Sequence, residues 1–383
     1  MKLIFYPLKQ SYTQNNLTTN YIMRNVILIM GAALLVQGCN NSVKPQQTSN
    51  TVSTEKVVTD SPTQPLIQQI TEKGKITSGI PVYQQSADSF AVYLPQSYDS
   101  AKPLPIIIFL DELGESSKVL EHYKPLAEKY NYIIACSSTN FNRATSVSGN
   151  LSANALINDL QKRFNLDKTK VIVAGFGSGA KIGIDAACGN AAVNAVVYTG
   201  SVLLWGNLNH SISFLGFAGN RDMNYSELVS FNDSKYLKDK EHYLIEYNGG
   251  HIWPDTKVFD AAFLYPYNNI PQQKLIVMNE AKLMNLNNEK QLRQSYYNAI
   301  TGQNDSWWKA ELKDMNKKKV TDPMYGRILD LISLSCYKLS QTNLQANNLT
   351  VAEKVLTVYG LLDPTNEDYR KLLSDLKYRQ SKK

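Results

Sequence analysis

Short apolar runs and longer stretches of helical periodicity alternate from Phe90 to Tyr247. Phe90–Pro95 reads as an early antiparallel strand, and Pro105–Leu110, with three consecutive isoleucines, as a strand buried on both faces. A helix is expected near 118–129, a strand at 132–136, a helix at 152–164, a strand at 170–174, a helix at 179–188 and a strand at 194–198. A strand at 212–218, a helix at 224–237 and a strand at 242–247 close the series. Apolar strands separated by helical segments imply a mostly parallel sheet covered on both faces, the α/β class.

The texture changes after about residue 269. Leu, Met, Ala and Tyr then recur at helical spacing through 273–299, 305–316, 323–342, 349–361 and 365–380. The stretch Val351–Asn366 resembles the end of one tetratricopeptide-like helix pair. A single such unit does not make a repeat array, so an appended all-α bundle is the expectation, with Trp307 and Trp308 in its core.

The amino-terminal region follows a different logic. Met23-Arg24-Asn25 precedes the apolar run Val26–Val36, which ends in Gln37-Gly38-Cys39. A basic start, about a dozen apolar residues and a small residue before the cut make a secretory signal. The ending resembles a bacterial lipobox, which implies lipid on Cys39 and an address in the cell envelope, expected at the outer membrane of a Gram-negative cell. Residues 1–22, rich in Asn, Thr and Tyr, read as an upstream extension, so translation is expected to begin at Met23. The Ser-, Thr-, Gln- and Pro-rich stretch that follows buries too little apolar surface to offset its ordering entropy and reads as a tether. The expected division is therefore 1–39 signal region, 40–75 tether, 76–268 α/β domain and 269–383 helical domain.

Charge excludes more than it proposes. The 40 Lys and Arg against 33 Asp and Glu give a formal net charge of +7, but the basic residues are scattered among acids. Lys317-Lys318-Lys319 and the terminal lysines read as solvated faces, and no nucleic-acid motif accompanies them. With Cys39 set aside, Cys136, Cys188 and Cys336 remain, an odd number in apolar settings, which points to packing and not to a disulfide framework. The four dispersed histidines give no metal-ligand spacing. No cofactor is expected.

Candidate chemistry lies in Gly175-Phe176-Gly177-Ser178-Gly179-Ala180, which follows an apolar strand and opens a helix. A nucleophile elbow needs small residues two places before and after its nucleophile, because the strand-to-helix turn is tight. Gly175 and Gly179 meet that need around Gly177, whereas centring the turn on Ser178 would put Phe176 where a small residue belongs. The same segment also fits a dinucleotide-binding fingerprint, but the next strand ends in Thr199-Gly200-Ser201 and lacks the acid that would hold a ribose. Downstream, Gly219-Asn220-Arg221-Asp222 presents a carboxylate after an apolar run, and Asn248-Gly249-Gly250-His251-Ile252-Trp253-Pro254 presents a histidine after another. Nucleophile, acid, histidine is the chain order of an α/β-hydrolase triad.

Together these motifs resemble the esterase and depolymerase-like branch of the α/β-hydrolases found in bacterial envelopes, over roughly residues 80 to 265. The resemblance implies Asp222 as the acid, His251 as the base and Gly177 where the serine belongs. It also implies the first oxyanion donor in the Asp111-Glu112-Leu113-Gly114 loop, and Ser178 as the residue whose backbone N–H completes the oxyanion hole. Two functions follow as expectations. The first is a disarmed hydrolase that binds a small ester, peptide or glycan while its C-terminal helices contact a protein partner. The second is a working esterase that uses Ser178 with His251 and Asp222.

Overall fold

The computed structural model describes residues 72–83, 85–203, 211–267, 270, 275–276 and 279–382. The signal region, Cys39 and nearly all of the expected tether lie outside them. Among the described residues one eight-stranded sheet is built from β1 (Ile76–Val82), β2 (Gln85–Tyr93), β3 (Leu104–Leu110), β4 (Ile133–Ser137), β5 (Leu166–Phe176), β6 (Ala195–Thr199), β7 (Ser213–Gly219) and β8 (His242–Tyr247). The strand order is β1-β2-β4-β3-β5-β6-β7-β8. β1 and β2 are antiparallel to their neighbours, and β3 through β8 run parallel.

Successive strand side chains face opposite sides, so each apolar run feeds two cores. Ile106, Ile108 and Leu110 pack on one face with Val171, Val173, Val196 and Phe214. Ile107 and Phe109 pack on the other with Ile172, Ala174, Val197, Leu215 and Phe217. Helices α2 (Ser146–Arg163), α3 (Ser178–Gly189) and α4 (Tyr225–Asn232) cover the first face. Helix α1 (Ser116–Tyr130) and the short α5 (Thr256–Phe259) cover the second.

Five helices follow: α6 (Glu280–Gly302), α7 (Asp305–Lys318), α8 (Pro323–Gln345), α9 (Leu349–Leu362) and α10 (Glu367–Gln380). Asn304 caps α7 through the Trp307 N–H, and Asp322 caps α8 ahead of Pro323 at its first turn. These helices have a core of their own in which Trp308 is fully buried and Trp307 packs at its border. α6 bridges the two parts, because its Leu286 belongs to the core of the sheet.

The expected order of strands and helices is present, with four differences. β1 was absent from the sequence expectation: it carries Gly79 and Pro81, which an edge strand tolerates, and among the described residues it pairs with β2 alone, through register shifts. Helix α4 stops at Asn232 instead of reaching 237, where the polar Asn-Asp-Ser run turns the chain. Helix α6 begins at Glu280, capped by Asn279, whereas Leu275 bridges to Ile245 in extended form. The four-residue α5 is too short to show a period.

Candidate active site

Four strand ends meet at the carboxyl edge of the sheet, where a doubly wound sheet presents its ligand site. β5 ends in the elbow, which α3 follows at once. A Cβ on Gly179 would stand 1.9 Å from the Leu110 carbonyl oxygen, and one on Gly175 would stand 2.4 Å from the Ala180 Cα, so neither position has room for a side chain. Gly177 sits at the apex with φ 56° and ψ −123°. That backbone suits glycine and strains any other residue by about 1–3 kcal/mol. The turn geometry of an elbow is thus present without the side chain that it exists to present.

Asp222 and His251 come together. Asp222 follows β7, is 1% exposed, and accepts the Asn224 N–H at 2.8 Å. His251 Nδ1 lies 3.1 Å from both carboxylate oxygens of Asp222. The two loops are tied by backbone bonds, with the Asn220 N–H donating to Tyr247 O and the Arg221 N–H to Gly249 O, each at 2.9 Å. The imidazole rests on Phe176, ring centroids 4.8 Å apart, and Phe176 also meets Trp253.

Ser178 is not brought to this pair. It opens α3, and its hydroxyl is buried without a hydrogen-bond partner. The ring nitrogen that would serve a nucleophile, His251 Nε2, instead faces Glu112 Oε2 at 3.7 Å. Glu112 fills the space above Gly177: a Cβ there would stand 2.1 Å from Glu112 Oε2 and 2.8 Å from its Cδ. Sequence reasoning placed only a backbone donor in this loop and missed the glutamate. The available signal was an acid two residues past the end of β3, in the loop expected to border the elbow.

Asp111 anchors the arrangement and was also missed. It is buried, its Oδ2 accepts the N–H groups of Leu113 and Glu115, each at 3.1 Å, and its Oδ1 accepts Trp253 Nε1–H at 2.8 Å. The Gly114 N–H is taken by the Asp111 carbonyl and the Glu112 carbonyl by the Asn142 N–H. The loop that would supply an oxyanion donor thus spends the N–H groups of Leu113, Gly114 and Glu115 on itself, and it is locked to the histidine loop.

Electrostatics set the state of His251. Burial pulls its pKa down, and hydrogen bonding and charge from Asp222 and Glu112 overcome that to push it up to about 9. Asp330 of α8 adds a third carboxylate close enough to act on both Asp222 and His251. The unfolded value is about 6.5. The proton therefore stabilises the fold fully below pH 6.5, and this contribution fades as pH rises toward 9. A histidine NMR titration is expected to place His251 near 9 and to move it lower in Glu112→Gln; an unmoved midpoint would disprove the pairing.

Among the described residues no group of histidines, cysteines and acids is placed to hold a metal ion, and no helix is long and apolar enough to cross a membrane. Cys136 and Cys336 are buried free thiols, and Cys188 is a half-buried one.

No family model and no curated sequence matches the chain. Solved structures that resemble it include esterase 2 of Thermogutta terrifontis phosphonylated by sarin, at 11% identity over 47% of this chain and 87% of that one, TM-score 0.38. The S-formylglutathione hydrolase of Staphylococcus aureus is 16% identical over 47% and 93%, TM-score 0.39. The fluorophosphonate-binding serine hydrolase F of Staphylococcus aureus, with substrate bound, is 15% identical over 52% and 100%, TM-score 0.41. Independently of these likenesses, the strand order, the parallel run from β3 to β8, the glycine-flanked elbow after β5 and the acid and histidine turns after β7 and β8 give this chain the α/β-hydrolase fold.

Proposed function

We propose that this chain is a lipid-anchored envelope protein whose hydrolase-type site has lost serine-ester turnover and holds an ester, peptide or glycan ligand without cutting it. The observation that carries the reading is Gly177 at the elbow apex with the Glu112 carboxylate where a serine side chain would stand. Loss of the serine from a triad costs on the order of a millionfold in turnover, because the triad works as a unit. Ser178 offers no substitute: its hydroxyl is buried, and the base it would need is turned to Glu112. The C-terminal helices hold the acid turn and leave their outer faces for a protein partner.

The test is fluorophosphonate labelling of the purified full-length protein. The native chain is expected to take no label, and label on Ser178 that disappears in Ser178→Ala would overturn the reading. For the anchor, metabolic incorporation of a palmitate analogue is expected in cells and is expected to be lost in Cys39→Ala. Retained label in that variant would remove the lipid from the proposal.

A further inference from the structure

We infer that Glu112 has taken the nucleophile's place and that the site opens unhindered alkyl electrophiles whose leaving group departs as a stable anion, such as a primary alkyl halide. A serine hydroxyl is one bond from its Cβ, and Glu112 Oε2 stands 2.1 Å from the point where a Cβ of residue 177 would be. A carboxylate oxygen therefore occupies the region that an elbow hydroxyl would occupy. His251 flanks it, with Nε2 at 3.7 Å, and is oriented from behind by Asp222. The position is rigidly set: β3 pairs with β5, with Leu110 opposite Gly175, and Asp111 and Asn142 hold the loop. Glu112 is reachable, its side chain being 18% exposed. Leu113 and Ile252, which directly follow Glu112 and His251 in the chain, are large exposed apolar residues.

Carboxylate chemistry selects the substrate class. Attack on an ester or amide carbonyl would form a mixed anhydride from a weak nucleophile and a poor leaving group, and the adduct would revert. This accords with a site that binds acyl ligands without cutting them. Attack on saturated carbon forms an ordinary ester, a recognised kind of covalent intermediate for Asp and Glu. In the first step a Glu112 lone pair forms a C–O bond as the carbon–halogen bond breaks, and halide leaves with the bonding pair. Displacement is in line, so His251, beside the nucleophile, is not across from it to protonate a leaving group, and halide needs no proton. Esterified Glu112 has no charge, so His251 is then held by fewer carboxylates and gives its proton to solvent. Nε2 next removes a proton from water as the water oxygen bonds to the ester carbonyl carbon. The acyl carbon–alkoxy bond breaks, the alkoxide takes the proton from His251 and leaves as alcohol, and the new Glu112 carboxyl passes its proton to His251, which restores the starting pair with one proton released in all.

The inference rests on the proposed loss of serine turnover, and its test reads a different residue. Full-length protein is incubated with 1-bromohexane, and bromide release and peptide masses are followed. Release is expected to exceed that of Glu112→Gln by at least about a thousandfold. In heavy-oxygen water, with protein in excess over 1-bromohexane so that each site turns over once, the label is expected in the Glu112 carboxylate and not in the hexanol. His251→Gln is expected to accumulate a hexyl ester on the peptide that holds Glu112; the heavy-oxygen arm, run on the native protein, does not depend on that variant folding. Bromide release unchanged in Glu112→Gln, or an adduct only on a cysteine, would overturn the inference. If neither Glu112 nor Ser178 reacts, this inference falls while the loss of serine turnover stands; fluorophosphonate on Ser178 would remove the latter by itself.

Discussion

Gly177→Ser alone is expected to remain dark to fluorophosphonate, whereas Gly177→Ser with Glu112→Ala takes label. An intact but disarmed elbow would regain function on return of its serine if nothing else had changed. Here the space is occupied. The new Cβ would stand 2.1 Å from Glu112 Oε2, so the flexible glutamate side chain must first swing out of the place that the serine needs. The backbone adds strain of about 1–3 kcal/mol for any non-glycine residue at φ 56°. His251 compounds the obstacle, since its raised pKa keeps it protonated near neutrality and unable to accept the serine proton. Removing Glu112 clears the space and takes away one of the carboxylates that hold that proton. The double variant is expected to react at least about a thousandfold faster than the single one, part of the millionfold that a serine triad can supply. Equal labelling of the two variants would mean that Glu112 is not the obstacle.

The same pair of positions shows what the amino-acid sequence discloses and where it stops. β3, β5, β6 and β7 are legible because a strand buried on both faces reads as an unbroken apolar run, as in Pro105–Leu110. The elbow, Asp222 and His251 are legible because each lies in a local turn with its own glycine pattern. Glu112 is not, because its meaning comes from strand order. Only the adjacency of β3 and β5 brings a side chain at 112 over the backbone at 177, and nothing within the Asp-Glu-Leu-Gly loop announces that pairing. Asp111 is hidden for the same reason, since its partner Trp253 lies 142 residues away. The strong buried helices of the C-terminal region are legible by period, but the attachment of these helices to the acid turn is not.

That attachment gives the largest expected loss of stability. Arg327 of α8 is 7% exposed and makes a bidentate pair with Glu289 of α6, Nε to Oε1 at 3.1 Å and Nη2 to Oε2 at 2.5 Å. Its remaining nitrogen, Nη1, donates to the Asn220 carbonyl at 2.5 Å, two residues before Asp222, and the guanidinium lies over the Tyr225 ring at 4.6 Å. Arg293 joins the cluster, 3.5 Å from Glu289 and 3.0 Å from the Ser226 hydroxyl. One arginine thus ties two C-terminal helices to the turn that orients His251. Arg327→Met removes the cation and leaves Glu289, 1% exposed, with Arg293 as its looser partner. Stranding a buried charge costs about 3–5 kcal/mol, and the retained contact with Arg293 places the expected loss at the low end of that range. Arg327→Met with Glu289→Gln is expected to recover more than half of it, because the buried charge goes and an amide oxygen remains for Arg293. Urea unfolding at constant slope measures both effects. The His251 titration separates a lost fold from a lost clamp: with Asn220 released, Asp222 holds the imidazole less firmly, and the His251 midpoint falls in the folded variant. A single variant with native stability and a native His251 midpoint would mean that the helices only lie against the sheet and do not order its site.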